Sequence, residues 1–225
     1  MLNRWQLILP TALPNLMTQN TSHAVMQQRS ESHDSLDDFP TPPWATRAFC
    51  EYLLKGEIIG TDTVWEPACN RGYMAKPLSE YFNTVHTSDI HDYGWKGQHR
   101  VTDFLFPHSE PEDKIDWIIT NPPFRLAEDF IFRGLEVARK GIAVIVRTSF
   151  MEGVRRYNGI FKDSPPTYVA QYAERVPMHK ARYDPNGTTA TSYAWFVWKK
   201  GCDSNCQLKW IPPCKKRLMR STDGE

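Results

Sequence analysis

The stretch DWIITNPPF, residues 116–124, ends an apolar strand on a stiff turn that can do chemistry. The apolar residues before the turn can be buried, but an Asn-Pro-Pro sequence continues neither a helix nor an inner strand. The side-chain oxygen of Asn121 and the carbonyl of Pro122 can each accept a hydrogen bond from an amine, and the ring of Phe124 can stack on a planar group. The turn therefore presents hydrogen-bond acceptors and an aromatic face at the end of a buried strand.

The elements that must position this turn alternate between strands and helices. The apolar positions of residues 126–139 recur with helical spacing. The run GIAVIV is typical of a strand buried on both faces, and YAWFVWK alternates as an antiparallel strand does. The predicted strands are residues 63–66, 85–89, 100–102, 116–120, 141–146, 169–172 and 193–199, and the predicted helices are 45–54, 73–82 and 126–139. This order predicts an α/β fold with a doubly wound, mostly parallel sheet and a late antiparallel strand.

Polar and acidic residues follow four of the predicted strands. In a doubly wound sheet, ligands bind beyond the carboxyl ends of the strands. The first strand leads into EPACNRG, residues 66–72, the second ends at Asp89, the third precedes Asp103 and Phe104, and the fourth precedes the NPPF turn. These residue types suit a nucleoside cofactor and an amine substrate, so we expect them to share one site.

Residues 39–200 resemble the adenine-N6 DNA methyltransferases that use S-adenosylmethionine, particularly the small enzymes of phages and prophages. The NPPF turn is similar to their catalytic tetrapeptide and likewise follows an apolar strand. EPACNRG resembles their cofactor loop. FPTPPW, residues 39–44, precedes both motifs, as in the subgroup whose target-recognition part comes last. The resemblance implies a Rossmann-like class I methyltransferase whose catalytic residues are Asn121, Pro122, Pro123 and Phe124.

The resemblance also implies which residues bind S-adenosylmethionine. FPTPPW would close over the methionine end of the cofactor, and Asp89 would accept hydrogen bonds from the ribose hydroxyls. Asp103 and Phe104 would hold its adenine, through a carboxylate and a stacked ring. The full implied set is Phe39, Thr41, Trp44, Glu66, Pro67, Ala68, Cys69, Asn70, Gly72, Asp89, Ile90, Asp103 and Phe104.

The EPACNRG loop departs from the family at Asn70, where a glycine is usual. Glycine permits a positive φ and a close approach of the backbone to the cofactor. Asparagine is the other residue that best tolerates the left-handed region, so we expect the turn to form. The departure also leaves open a protein of another class, a non-catalytic relic that binds nucleic acid or senses the cofactor.

The predicted reaction is methyl transfer to the N6 amine of adenine in DNA. Two fixed acceptors favour a more pyramidal nitrogen whose lone pair points at the methyl group, and the rigid prolines reduce the cost of orientation. A base inside a duplex cannot reach such a turn, so the DNA must be single-stranded or the base flipped out. Methylation of RNA adenine or of a protein glutamine is an alternative with the same chemistry. Cytosine-N4 methylation is less favoured, because serine is commoner at position 121 in enzymes of that type.

The residues that contact DNA are harder to locate. Residues 176–193 join two predicted strands and carry basic and hydroxyl side chains, which suit a loop that contacts phosphates. More basic residues follow the fifth strand and occur near residue 216. The candidate nucleic-acid-binding residues are Arg147, Arg155, Lys180, Arg182, Tyr183 and Tyr193. So small a recognition apparatus predicts short or loose sequence specificity.

The composition is that of an ordinary globular protein. Of the 225 residues 40% are hydrophobic and 24% charged, and the net charge of +1 means that nucleic-acid binding must come from a local basic patch. We expect a disordered leader at residues 1–35, a catalytic domain at 36–200 and a basic tail at 201–225.

The cysteines and the apolar runs bear on the cell compartment. Five cysteines without a CxxC pair favour free thiols over a zinc site, and the predicted chemistry requires no metal. We find no signal peptide and no apolar run near the ~18 residues of a membrane span. We therefore expect a cytoplasmic protein, in the host cytosol if it is phage-encoded, that needs no protein partner or membrane.

Overall fold

The computed structural model describes residues 37–58, 60–202 and 205–224. The predicted leader, residues 1–35, lies outside these described residues.

Eight strands of the described chain form one sheet. They are β1 Thr63–Glu66, β2 Thr84–Asp89, β3 Arg100–Val101, β4 Trp117–Thr120, β5 Gly141–Arg147, β6 Tyr168–Tyr172, β7 Tyr193–Lys199 and β8 Gln207–Ile211. Their order across the sheet is β3-β2-β1-β4-β5-β7-β6-β8. Neighbouring strands are parallel except that β7 runs antiparallel to both β5 and β6. The mostly parallel, doubly wound sheet with a late antiparallel strand is confirmed.

Short helices flank this sheet. They are α1 Pro43–Phe49, α2 Ala75–Leu78, α3 Ala127–Val137, α4 Val154–Arg156 and α5 Lys215–Leu218. π-Helical turns continue α1 as Cys50–Leu54 and α4 as Tyr157–Phe161, and 3₁₀ turns occur at Thr148–Met151 and Ser221–Gly224. α1 begins with Pro43, because the fixed φ of proline suits the first helical position and its missing N–H is not needed there.

Hydrophobic clusters cover both faces of the sheet, which explains the continuous apolar runs of the central strands. One face buries Ile119, Ala143 and Trp195 under α1 and α2. The opposite face buries Ile118, Ile142 and Phe196 under α3. α3 lies very close to β5, because a side chain added at Gly134 would collide with that of Ile142.

The predicted strands agree with the structure to within one residue at each end, but two other expectations differ. The helix expected at 73–82 is regular only over α2. Pro77 has no N–H to donate to the carbonyl of Tyr73, so the first turn of the expected helix lacks a hydrogen bond. The segment expected to be a basic tail, 201–225, contains β8 and α5. Ile211 and Leu218 from this segment are buried in the core. A buried Arg47 on α1 also pairs with Asp223 at 2.7 Å.

Within the described residues, no helix combines the length and the apolar character needed to cross a membrane.

Candidate active site

A cavity opens at the carboxyl ends of β1, β2 and β4. It encloses about 800 Å³ of empty space, part of it open to solvent. The sequence-predicted residues that line it are Phe39, Thr41, Glu66, Pro67, Ala68, Cys69, Asn70, Asp89, Ile90, Asp103, Phe104, Asn121 and Pro123. Residues that follow four different strands therefore meet at one place, as the doubly wound topology requires.

The amide of Asn121 is oriented by a backbone carbonyl. Its Nδ2 donates a hydrogen bond to the carbonyl oxygen of Phe39 at 2.8 Å. Oδ1, at the other end of the amide, is buried and accepts no hydrogen bond from the residues that the structure describes. A buried acceptor without a donor costs about 1–3 kcal/mol. A ligand that donates a hydrogen bond to Oδ1 would remove this cost.

Residues 37–39, which we call the N-terminal strap, hold three loops around the cavity. Asp37 Oδ2 accepts a hydrogen bond from the backbone N–H of Phe124 at 2.8 Å, next to the Phe39 contact with the NPPF turn. Asp38 Oδ1 accepts one from Asn70 Nδ2 at 2.7 Å. The backbone carbonyl of Asp38 accepts another from the N–H of Ala181 at 2.8 Å. The strap thus connects the NPPF turn, the EPACNRG loop and the segment 176–193.

The EPACNRG loop has the left-handed geometry expected for it. Asn70 has a φ of 48° and Gly72 a φ of 80°. The backbone N–H of Asn70 donates to Asp89 Oδ2 at 2.9 Å, and its side-chain oxygen accepts from the N–H of Arg71 at 2.7 Å. Arg71 also pairs with Asp38 at 2.9 Å. Asparagine can therefore replace glycine here, because its amide is held by neighbours on both sides.

Carboxyl groups give the cavity an acidic character. Burial, reinforced by the nearby charge of Asp89, raises the pKa of Glu66 well above its ordinary value. One oxygen of that carboxyl, Oε2, is buried and has no hydrogen-bond partner among the described residues. Burial also raises the pKa of Asp89, although backbone N–H groups of Asn70 and His91 donate to it. Both groups would gain from a cationic or hydrogen-bond-donating ligand.

Seven residues that line the cavity were not predicted: Asp37, Pro40, Tyr73, Met74, Tyr93, Leu126 and Phe130. Most of them are neighbours of predicted residues in the sequence, so the boundaries of the motifs were drawn too tightly. Tyr93 is separate from every motif. Its ring lies under the guanidinium of Arg71 at 4.9 Å, and burial raises its pKa to about 12. We find no sequence signal that would have identified it.

Four predicted site residues lie outside the lining of the cavity. Trp44 is buried in the core and packs edge-on against Tyr172 with the ring centroids 5.7 Å apart, so its predicted contact with the cofactor is wrong. Gly72 has a positive φ that the loop requires. It also has no room for a side chain, which would meet the indole of Trp95 at 2.5 Å. Pro122 is the buried residue of the NPPF turn.

Phe124 is the fourth of these residues, and neighbouring side chains already cover its ring. The guanidinium of Arg147 lies 4.7 Å from the ring centroid, and the ring of Phe39 packs against it at 5.5 Å. A planar ligand that stacks on Phe124 must therefore displace or join one of these groups.

The predicted nucleic-acid-binding residues do not form one cluster. Tyr193 is buried in the core at the start of β7 and offers no stacking surface, so that prediction is wrong. Tyr183 packs against Tyr73 at 5.5 Å, beside the cavity. The remaining four are Arg147 on Phe124, exposed Lys180, exposed Arg182 near Asp184, and exposed Arg155 paired with Glu128.

The sheet order, the antiparallel β7 and a cavity beyond the ends of β1 and β4 define the Rossmann-like fold of class I methyltransferases. Neither the protein-family models nor the curated proteins give a match to this chain. Solved structures with the same fold do match it.

A protein of Pyrococcus horikoshii assigned as an RNA methyltransferase is 16% identical, with a TM-score of 0.54 over 73% of this chain and 88% of that one. The methyltransferase subunit of a type I restriction-modification system from Streptococcus thermophilus is 10% identical, with a TM-score of 0.54 over 84% of this chain. This chain spans 50% of the length of that subunit. A Thermoplasma acidophilum protein is 19% identical, with a TM-score of 0.51 over 72% of this chain and 89% of its own. At such identities the matches establish the fold alone.

Proposed function

We propose that this protein transfers a methyl group from S-adenosylmethionine to the N6 amine of adenine in DNA. The observation that carries the proposal is the amide of Asn121. Its nitrogen donates a hydrogen bond to the Phe39 carbonyl. Its oxygen is buried at the wall of the cavity and accepts no hydrogen bond from the described residues. An exocyclic NH₂ group is a hydrogen-bond donor that such an oxygen would accept.

The charge of the cavity supports a cationic cofactor. Its lining includes the carboxyl groups of Asp37, Glu66, Asp89 and Asp103, and no Lys, Arg or His among the described residues. A dinucleotide or nucleoside triphosphate brings phosphates, which such a lining repels. S-adenosylmethionine carries an ammonium and a sulfonium, and its ribose hydroxyls are donors. The donor-seeking Glu66 Oε2 and the carboxylate of Asp89 therefore fit it.

The residues of the NPPF turn orient the amine. S-adenosylmethionine would supply the methyl group as an activated sulfonium substituent. Asn121 Oδ1 accepts one N–H of the amine and the Pro122 carbonyl accepts the second, which favours a pyramidal nitrogen with a directed lone pair. The prolines and the Asp37 contact to Phe124 fix the turn before the substrate binds, so little orientation entropy is lost in the reaction.

The depth of the site restricts the substrate to an accessible base. Asn121 Oδ1 is buried, so an adenine paired within a duplex cannot reach it and must be flipped out or single-stranded. The Arg147 guanidinium over Phe124 occupies the face on which that base would stack. Guanidinium planes also stack on bases, so Arg147 either forms part of the stack or moves to a flanking phosphate.

The test is methyl transfer from radiolabelled S-adenosylmethionine by the purified protein. The substrates are plasmid DNA from a host without adenine methylation, total RNA and glutamine-containing peptides. We expect label in DNA, recovered as N6-methyladenine after nuclease digestion, and loss of that label with Asn121→Ala.

Label found only in RNA or only in peptide would reject the DNA assignment and keep the amine chemistry. Calorimetry addresses the class of protein. If the wild-type protein binds no S-adenosylmethionine, it is a non-catalytic relic and the proposed function fails.

A further inference from the structure

The chain between β5 and β6 presents apolar side chains to solvent. Phe150 and Ile160 are buried at its two ends, and Phe150 packs edge-on against Phe161 and Phe196. Between these anchors lie three exposed large hydrophobic side chains: Met151 is 50% exposed, Val154 78% and Tyr157 57%. We call residues 151–157 the β5–β6 finger. Large apolar side chains so exposed and so close together, on a firmly anchored segment, indicate a contact surface.

The finger stands at the rim of the cavity. The carboxylate of Glu128, in the first turn of α3, pairs with Arg155 at 2.7 Å and with Arg156 at 3.4 Å. The finger follows β5, and Arg147 at the end of β5 lies 4.7 Å from the ring centroid of Phe124 in the NPPF turn. A nucleotide placed in the cavity would therefore have its neighbours along the strand close to the finger.

The charge beside the finger suits a nucleic acid. Residues 147–162 contain four basic side chains, Arg147, Arg155, Arg156 and Lys162, and a single acidic one, Glu152. Glu128 is shared between two arginines, so the rim keeps a positive excess. The cavity itself is acidic and repels phosphates. The phosphate backbone is thus directed to the rim while only the base enters the cavity.

We infer that Val154 and Tyr157 insert into the base stack of double-stranded DNA at the position that the target adenine leaves. This inference rests on the proposed function and deepens it by assigning the duplex form of the substrate. Apolar side chains that enter between base steps replace part of the lost stacking, which offsets the cost of moving a base out of the helix. Single-stranded DNA needs no such replacement, so the finger should matter only for the duplex.

The experiment compares native and heat-denatured forms of the same unmethylated plasmid DNA as substrates for the double variant Val154→Ser, Tyr157→Ala. We expect methyl transfer to the native DNA to fall about tenfold, equivalent to about 1.4 kcal/mol, with transfer to the denatured DNA unchanged. The matched control is Val101→Ser, which removes an exposed valine on β3 (60% exposed) and should leave both activities unchanged. Binding of S-adenosylmethionine to each variant checks that the fold and the cavity are intact.

An equal loss of methyl transfer on native and denatured DNA, or no loss on either, would overturn the proposed insertion of the finger into the base stack. Fluorescence anisotropy with a labelled random-sequence duplex and the matching single strand gives a second readout, independent of activity. The double variant should lose affinity for the duplex alone. If the wild-type protein methylates no DNA, the proposed function fails. The role of the finger is then tested by binding alone, and unchanged affinity of the double variant for the duplex would reject it.

Discussion

The two sides of the candidate site are built differently. On the side of β1 and β2, loop residues are fixed by hydrogen bonds to other loops: Asn70 donates from its side-chain Nδ2 to Asp38 and from its backbone N–H to Asp89. On the side that follows β5, the candidate contacts are exposed and spaced along the chain, as Val154 and Arg182 are. A preorganised pocket binds a small ligand at low entropic cost, whereas a polymer substrate is bound through many weak contacts. Single substitutions should therefore act strongly on the first side and weakly on the second.

The largest effect is expected at the point where the two sides meet. Asn121→Ala removes one preorganised acceptor and should lower kcat about 100-fold or more, with the affinity for S-adenosylmethionine unchanged. Single-turnover kinetics and calorimetry would measure the two quantities. Asn186→Ala, at an exposed asparagine in the segment 176–193, is the control and should be neutral. A loss of cofactor affinity with kcat unchanged would show that Asn121 belongs to the cofactor side alone.

Glu66→Gln should separate cofactor binding from stability. The pKa of Glu66 is raised above its ordinary 4.5, so the folded state holds the proton more tightly than the unfolded state. Its contribution to stability is full below pH 4.5 and is lost as the pH rises through the raised pKa. Glutamine does not ionise, so the variant should unfold at a higher temperature than the wild type at pH 8 and at a similar one at pH 4.

The same substitution removes a charge that would face the cationic cofactor, so affinity should fall about tenfold, or about 1.4 kcal/mol. Thermal unfolding without cofactor at the two pH values and calorimetry at pH 8 would test this opposition. Glu112→Gln, at an exposed glutamate, is the control. A Glu66→Gln protein that binds the cofactor as tightly as the wild type would remove Glu66 from the site.

Asp38 tests whether the N-terminal strap supports the EPACNRG loop. Asp38→Ala breaks the bonds to Asn70 and Arg71 and should weaken binding of S-adenosylmethionine by about 1–2 kcal/mol. Combined with Asn70→Gly, the same change should cost less, because the glycine loop no longer needs the amide contact. A double-mutant cycle of dissociation constants would show a coupling of about 0.5 kcal/mol or more. Additive effects would mean that the strap and the loop act independently, and Asp163→Ala on the surface is the control.

The smallest effect belongs to the exposed side. Arg182→Ala should weaken duplex binding to a similar degree for every sequence and reduce the slope of log affinity against log salt by about 1, as expected for one lost phosphate contact. Anisotropy titrations at several salt concentrations would measure it. Lys114→Ala, on an exposed lysine just before β4 at the opposite end of the sheet, should leave the slope unchanged. A slope that stays constant in Arg182→Ala would place this residue outside the contact with DNA.

Much of the fold was predictable because the signals were local. The apolar run of β5, the alternation of β7 and the helical spacing of α3 each depend on a few neighbouring residues. β8 was missed because its exposed sequence, QLKWI, has little alternation and gains its place only by pairing with β6. Trp44 and Tyr193 were misplaced for a related reason, since an aromatic residue near a motif can face the ligand or the core with the same sequence.

The sequence by itself determined which residue types follow each strand. The predicted parallel topology then placed these residues at one edge of the sheet. Only the tertiary structure decided the orientation of Asn121, because the Phe39 carbonyl that holds its amide lies 82 residues away in the chain. The same is true of Asn70, whose left-handed turn is supported by Asp38, 32 residues earlier. Hydrogen bonds between distant residues leave no periodic pattern, so their partners are fixed only when the chain folds.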